Sequence, residues 1–237
     1  QELIRICNDF VDRGLADQNF VSRLTSGHDP TFWACLSEAL IADRLRNKVF
    51  PKRASIGKGP DFLVRDGNLN IWIEVICPEP CEIPEEWLGP SFSEEASAYD
   101  FPHESILLRW TAAIKEKSEK LIGSTDGKVN GYLKDGIVGP NDAYVIAVNG
   151  CQLREEGALG PFSELFGISQ FPFAVEAVFP IGQYQLTINR DTLGVVKRSY
   201  QHRPYIINRN GAHVPAYVFL DPRFNPISAI WAVDMNE

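Results

Sequence analysis

The chain has no apolar run approaching the roughly 18 consecutive residues that a membrane-spanning helix needs, so no membrane partner is expected. The given amino terminus, Gln-Glu-Leu-Ile-Arg-Ile-Cys-Asn-Asp, mixes apolar and charged residues, so it is not expected to be a secretory signal. A chain that opens at Gln1 rather than Met is expected to be truncated or processed. It has no even cysteine set. Five thiols, Cys7, Cys35, Cys77, Cys81 and Cys151, favour a reducing compartment over a disulfide framework and predict a cytoplasmic location. Cys77 and Cys81 form a CxxxC, but the four His lie far off without metal spacing, so ordinary thiols are expected there rather than zinc. Positive charge is also scarce. Lys and Arg total 23 against 31 Asp and Glu, a net charge of −8. This argues against nonspecific coating of nucleic acid, although a local basic face and a bound cation can offset a global negative charge. Internal repeats and low-complexity tracts are absent.

What is present suits a globular chain with a real core: 237 residues, 44% apolar, 14 of them Phe. Residues 2–25 read as one or two short helices broken near Gly14. Asp29-Pro30-Thr31 opens a helix, with an N-cap candidate just before Phe32, that runs to about Asn47. Phe62–Val64 and Ile71–Ile76 read as strands of a hairpin turned by Asp66-Gly67-Asn68. Residues 77–101, with four Pro and many acids, read as an irregular excursion. A long helix is expected over His103–Ile122, stopped at Gly123, with a short helical stretch near Val129–Leu133. Asp142–Asn149 reads as a buried strand, 150–182 as loops with short helices, and Tyr184–Ile188, Val214–Leu220 and Ile227–Val233 as β-prone runs. The order predicts an α/β fold in one domain: a mixed sheet flanked by helices, core about 28–150, with a β-rich carboxy-terminal elaboration over about 151–237.

Three places in this pattern carry unexpected charge. Glu38 has Ala34, Ile41, Ala42 and Leu45 as helical neighbours, which turns it inward; it is either a carboxylate aimed at a metal or its water, or a Glu at the margin of a largely apolar helix. Glu74 lies in a strand apolar on both faces, preceded in the hairpin by Asp61. An ionised Glu is costly to bury alone. Either a hard divalent cation compensates it, or it sits at the strand's open end paired to Arg or Lys. In the long helix, Lys117 falls in the middle of the stripe Ile106, Trp110, Ala113, Ile114 and Leu121. Its long stem either snorkels to water or carries the ammonium to the strand carboxylates.

Together these residues resemble the PD-(D/E)XK nuclease superfamily, over Glu38, Pro60-Asp61, Glu74-Val75-Ile76 and the helix bearing Lys117. The resemblance spans roughly the first half of the chain and implies a restriction-endonuclease-like fold acting on nucleic acid, DNA first, with a homodimer as an assembly to test. It implies Mg²⁺ or Mn²⁺ held by Asp61 and Glu74, with the Val75 carbonyl as a further ligand and Glu38 holding a metal-bound water or second ion. The superfamily wants Lys two residues after the strand Glu, where this chain has Ile76. Some members carry that Lys on the following helix, which makes Lys117 the relocated candidate. Arg109 and Lys120, on the edge of the helical stripe, and Lys58, before Pro60-Asp61, are the candidates for the phosphate backbone; a solvated loop Lys is the plainer reading of Lys58. Gly57-Lys58-Gly59 is not a P-loop.

Three functional readings follow: a Mg²⁺-dependent phosphodiesterase, a degenerate member of the same fold that binds nucleic acid or protein without cutting, and an unrelated domain in which Glu38 and Glu74 form buried ion pairs with Arg44, Arg109 or Lys117.

Overall fold

A computed structural model describes residues 1–50, 58–88, 101–153 and 168–235. The expected excursion lies outside the described residues over 89–100, and so does 154–167 of the expected loop region. The chain forms two compact units: Gln1–Glu79 with Ala113–Gln152 and Arg223–Glu237, and Pro80–Ala112 with Leu153–Pro222.

In the first unit, α1 (Glu2–Asp12), α2 (Phe20–Leu24) and α3 (Asp29–Leu45) precede the short β1 (Val49–Phe50) and the hairpin of β2 (Phe62–Asp66) and β3 (Leu69–Ile76). The hairpin closes on Gly67, whose φ of 58° is one glycine adopts without penalty. α3 starts at Asp29 with Pro30 in its first turn, three residues earlier than the N-cap candidate suggests. The second half of α5 (His103–Ile122), then β4 (Ala143–Asn149) and β9 (Ala229–Val233) complete the unit. The sheet order is β1-β2-β3-β4-β9; β1, β2 and β3 pair antiparallel, while β3, β4 and β9 pair parallel. This is the mixed α/β sheet with helices that the sequence predicts.

Alternation along β3 and β4 decides what each face buries. Ile73, Val75 and Ala147 pack with Ile6, Phe10, Phe20, Leu36 and Leu40 of α1, α2 and α3. Glu74 and its register partner Ile146 take the other face, which Tyr144 joins to α5 by donating its hydroxyl to the Lys117 carbonyl at 3.0 Å. The α5 stripe is buried as its phase predicts: Ile106, Trp110, Ala113, Ile114 and Leu121, with Lys117 among them.

The helical stretch expected near Val129–Leu133 is not formed. Instead the chain reverses after Gly123, and Tyr132 and Leu133 donate backbone N–H groups to the last carbonyls of α5, Lys120 (2.8 Å) and Leu121 (3.1 Å). Helix ends leave such carbonyls unsatisfied, so the reversal replaces another helical turn. It depends on Gly131, where an added Cβ would lie 2.4 Å from the Gly123 backbone nitrogen.

The second unit holds α4 (Glu85–Leu88), the first half of α5, α6 (Phe173–Val178) and two antiparallel ribbons, β5 (Ile181–Ile188) with β6 (Val195–His202) and β7 (Tyr205–Ile207) with β8 (His213–Pro215). The β-prone run Val214–Leu220 is a strand only to Pro215; Val218–Leu220 is a 3-10 turn. Glu176 is fully buried here. It accepts from His103 Nε2 (2.6 Å), Arg203 (2.7 Å), and the Ser169 backbone N–H (2.8 Å) and hydroxyl. Arg203 is thus committed to the interior of this unit.

Candidate active site

The site forms where β2 begins. The β2–β3 pairing ends at Phe62↔Ile73, so the Val75 amide, two residues on, has no ladder acceptor on that side. Asp61 supplies one: its Oδ2 accepts the Val75 N–H at 2.7 Å. The strand end therefore orients the Asp61 carboxylate beside Glu74.

Glu74 is 1% exposed and points to α5. There Lys117 Nζ lies 3.2 Å and Lys120 Nζ 2.7 Å from the same oxygen, Oε1. Residues three apart on a helix are neighbours, which is why both ammonium groups reach one acceptor. Lys117 is 8% exposed and Lys120 remains partly exposed. The other oxygen, Glu74 Oε2, is buried and has no hydrogen-bond partner among the described residues. An orphaned charged acceptor costs more than the roughly 1–3 kcal/mol of a neutral one.

Burial pushes the Glu74 carboxyl above its ordinary range, and the Asp61 charge pushes the same way; Lys117 and Lys120 oppose both and do not win. Burial draws the Lys117 ammonium down, but Glu74 and Asp61 together more than reverse it, so Lys117 is held charged. Tyr132 also reaches this pocket: its hydroxyl donates to the Gly59 carbonyl at 3.3 Å, and burial, then Glu74 and Asp61, raise its pKa. The phenol therefore stays protonated and donates.

The expected site residues are thus distributed unevenly. Asp61, Glu74 and Lys117 come together. Lys120, the other helical candidate for the phosphate backbone, is partly exposed with its Nζ on Glu74. Lys58 is exposed and lines a cavity beside Pro60. Arg109 belongs to the second unit, two helical turns before Lys117. Glu38 is half-buried on α3, which packs with the Ile73 and Val75 face rather than the Glu74 face. No group of three or more His, Cys, Asp or Glu side chains is set to hold a metal among the described residues. Tyr132 was not legible in the sequence, because it follows an irregular turn with no periodicity to flag it. Cys77 is buried with its Sγ 3.9 Å from Cys151 Sγ, and Cys81 is exposed.

The donor chemistry fits a divalent cation. Mg²⁺ commonly binds through one or two carboxylates and takes its remaining ligands from water and phosphate. Asp61 and Glu74 supply two carboxylates, and the orphaned Glu74 Oε2 is an acceptor left for such an ion. No protein family, no characterised protein and no solved structure matches the chain.

Proposed function

We propose that the chain is a divalent-metal-dependent nuclease of the restriction-endonuclease-like type, hydrolysing phosphodiester bonds of nucleic acid at Asp61, Glu74 and Lys117. The observation that carries this reading is the buried Glu74 carboxylate, with one oxygen on two lysines and the other, on the side Tyr132 approaches, without a hydrogen-bond partner among the described residues. A carboxylate kept only for structure is expected to have both oxygens satisfied.

In this reading Asp61 and Glu74 hold Mg²⁺ or Mn²⁺, which supplies Lewis acidity toward water and phosphate. Asp61 keeps its aim through the Val75 amide. Lys117, held in its charged form, does not take a proton; its ammonium orients the attacking water and offsets negative charge gathering on the phosphate. It occupies the role that Ile76 cannot fill. Tyr132 adds a neutral donor on the Gly59 side.

One observation favours the degenerate reading, a protein of the same fold that binds nucleic acid or a protein partner without cutting. Two ammonium groups already sit on Glu74, so the carboxylates are balanced without a cation. Cleavage of single-stranded, duplex and RNA substrates with Mg²⁺ or Mn²⁺ separates the two. Cleavage abolished by Asp61→Asn and by Lys117→Ala supports hydrolysis. Metal-independent binding with no cleavage supports the degenerate reading, and cleavage indifferent to both substitutions removes the site.

A further inference from the structure

A cavity of about 380 Å³ opens in the first unit on the same sheet face as Glu74. Cross-strand pairs share a face, so Leu63↔Trp72 and Arg65↔Asn70 set these four side chains in line with Glu74. Trp72 stands one alternate position, roughly 7 Å, from Glu74 along β3. Lys58 and Pro60 form the wall nearest Asp61, and the Gly59 carbonyl between them accepts the Tyr132 hydroxyl. The cavity therefore adjoins the candidate active site through a shared stretch of chain.

Its chemistry is specific. Trp72 lines it with its indole held in place, because Nε1–H donates to Asp142 Oδ2 at 2.9 Å. Asp142 is itself fixed by Asn70 (3.0 Å) and the Gly139 N–H (2.9 Å), and these three donors keep its carboxyl low against the opposing effect of burial. A half-buried aromatic ring locked at a cavity wall has little rotamer freedom to lose on binding. Two cations, Lys58 and Arg65, line the same space, together with the Asp142 carboxylate, whose oxygens are taken up by Trp72, Asn70 and Gly139. A pinned ring beside positive charge suits a planar base carrying a phosphate, the combination that single-strand binders use. The volume falls within the range of small-ligand sites.

We propose that this cavity receives one unpaired nucleotide next to the scissile phosphate, its base stacked on Trp72 and its phosphate near Lys58 and Arg65, so that the preferred substrate is single-stranded. A base still paired in a duplex cannot leave its stack to lie on the indole without an added unstacking cost. The proposal rests on the nuclease reading for its orientation but is tested apart from catalysis.

The test is equilibrium binding of the full chain to a short fluorescein-labelled single strand and to its duplex, in buffer holding EDTA so that nothing is cut. Single-strand binding tighter than duplex, weakened about tenfold or more by Trp72→Ala and largely kept by Trp72→Phe, is the expected result. Lys58→Glu, at an exposed position that does not threaten folding, should weaken it as well. Equal affinity for single strand and duplex overturns the proposal, as does binding that neither Trp72→Ala nor Lys58→Glu weakens, or no binding at all. The two readings fail separately. Mg²⁺-dependent cleavage indifferent to Trp72 and Lys58 removes the cavity and keeps the nuclease. Trp72-dependent single-strand binding without cleavage does the reverse.

Discussion

Lys117 donates to Glu74 Oε1 at 3.2 Å from the middle of an otherwise apolar helical stripe, and both side chains are buried. An apolar residue at that position would gain roughly 1.5–3 kcal/mol from burial, so the lysine is an expensive choice unless its charge is used. Lys117→Met and Lys120→Met should therefore differ. With Mg²⁺ and a nucleic-acid substrate, Lys117→Met should lower kcat by about 10²–10³, the usual loss for one preorganised donor. Lys120→Met, removing a partly exposed group, should cost less than about tenfold. In urea unfolding, Lys117→Met should cost about 1–3 kcal/mol, below the 3–5 kcal/mol of a fully stripped buried pair, because Lys120 remains on Glu74. The reverse order of kcat losses would make Lys120 the relocated lysine.

Glu74 makes stability fall with rising pH. Its folded pKa lies above its ordinary value of 4.5, so just above that value the unfolded chain has released this proton and the folded chain still holds it. The folded state binds more protons, and stability drops through the window from 4.5 up to the raised value, then levels off. Lys117, raised above its ordinary 10.5, stays charged throughout. Glu74→Gln cannot ionise and should flatten this slope in urea titrations across the window. Metal affinity by calorimetry should rise with pH over the same range in the unaltered chain, as the cation displaces the proton.

Gly131 should be intolerant of any side chain. Its φ is +80°, and an added Cβ would meet backbone atoms of Leu121, Ile122 and Gly123, none of which can swing aside. Gly131→Ala should cost more than about 2 kcal/mol and detach Tyr132 from Gly59. Gly127→Ala, also at positive φ (+74°) but with open space around it, should cost only about 1 kcal/mol. Thermal unfolding of the two variants side by side checks this.

Glu176 in the second unit should show the opposite pH sign from Glu74. Burial pushes its carboxyl up, but His103 and Ser169 outweigh that and hold it below its ordinary 4.5. Its contribution is present above 4.5 and is lost as pH falls through the lowered folded value. Glu176→Gln, which leaves Arg203 and His103 buried without their carboxylate, should cost about 3 kcal/mol at neutral pH and shrink the acid-induced loss. Acid titration of stability for both chains reads it.

Much of the local structure was legible in the residues. The Asp66-Gly67-Asn68 turn, the alternation that buries Glu74, and the extent of α5 with Lys117 in its stripe all follow from short-range rules. What those rules missed is specific. Helix phase places Lys120 at the edge of the stripe, where it is partly exposed, but phase alone does not say that its ammonium reaches Glu74 on the next strand. Glu38 read as inward, and it is half-buried, but a helix does not know which sheet face it will cover. The turn at Gly131 read as helical because its register with the end of α5 is a backbone contact, not a pattern of side chains.

By itself, then, the amino-acid order determined the elements and their phases: a hairpin with an acid on each side of its turn, and a helix with a lysine among apolar residues. Periodicity of two and of 3.6 is a property of neighbouring backbone dihedrals, so it can be read from neighbouring residues. Only the tertiary structure decided that Asp61 caps the unpaired Val75 amide, that Lys117 and Lys120 share one oxygen of Glu74, and that the other oxygen has no hydrogen-bond partner among the described residues. Those contacts join positions 14 to 46 residues apart. They exist because the pairing of β2 with β3 stops at Ile73, two residues before Val75, and because α5 lies against the face that carries Glu74.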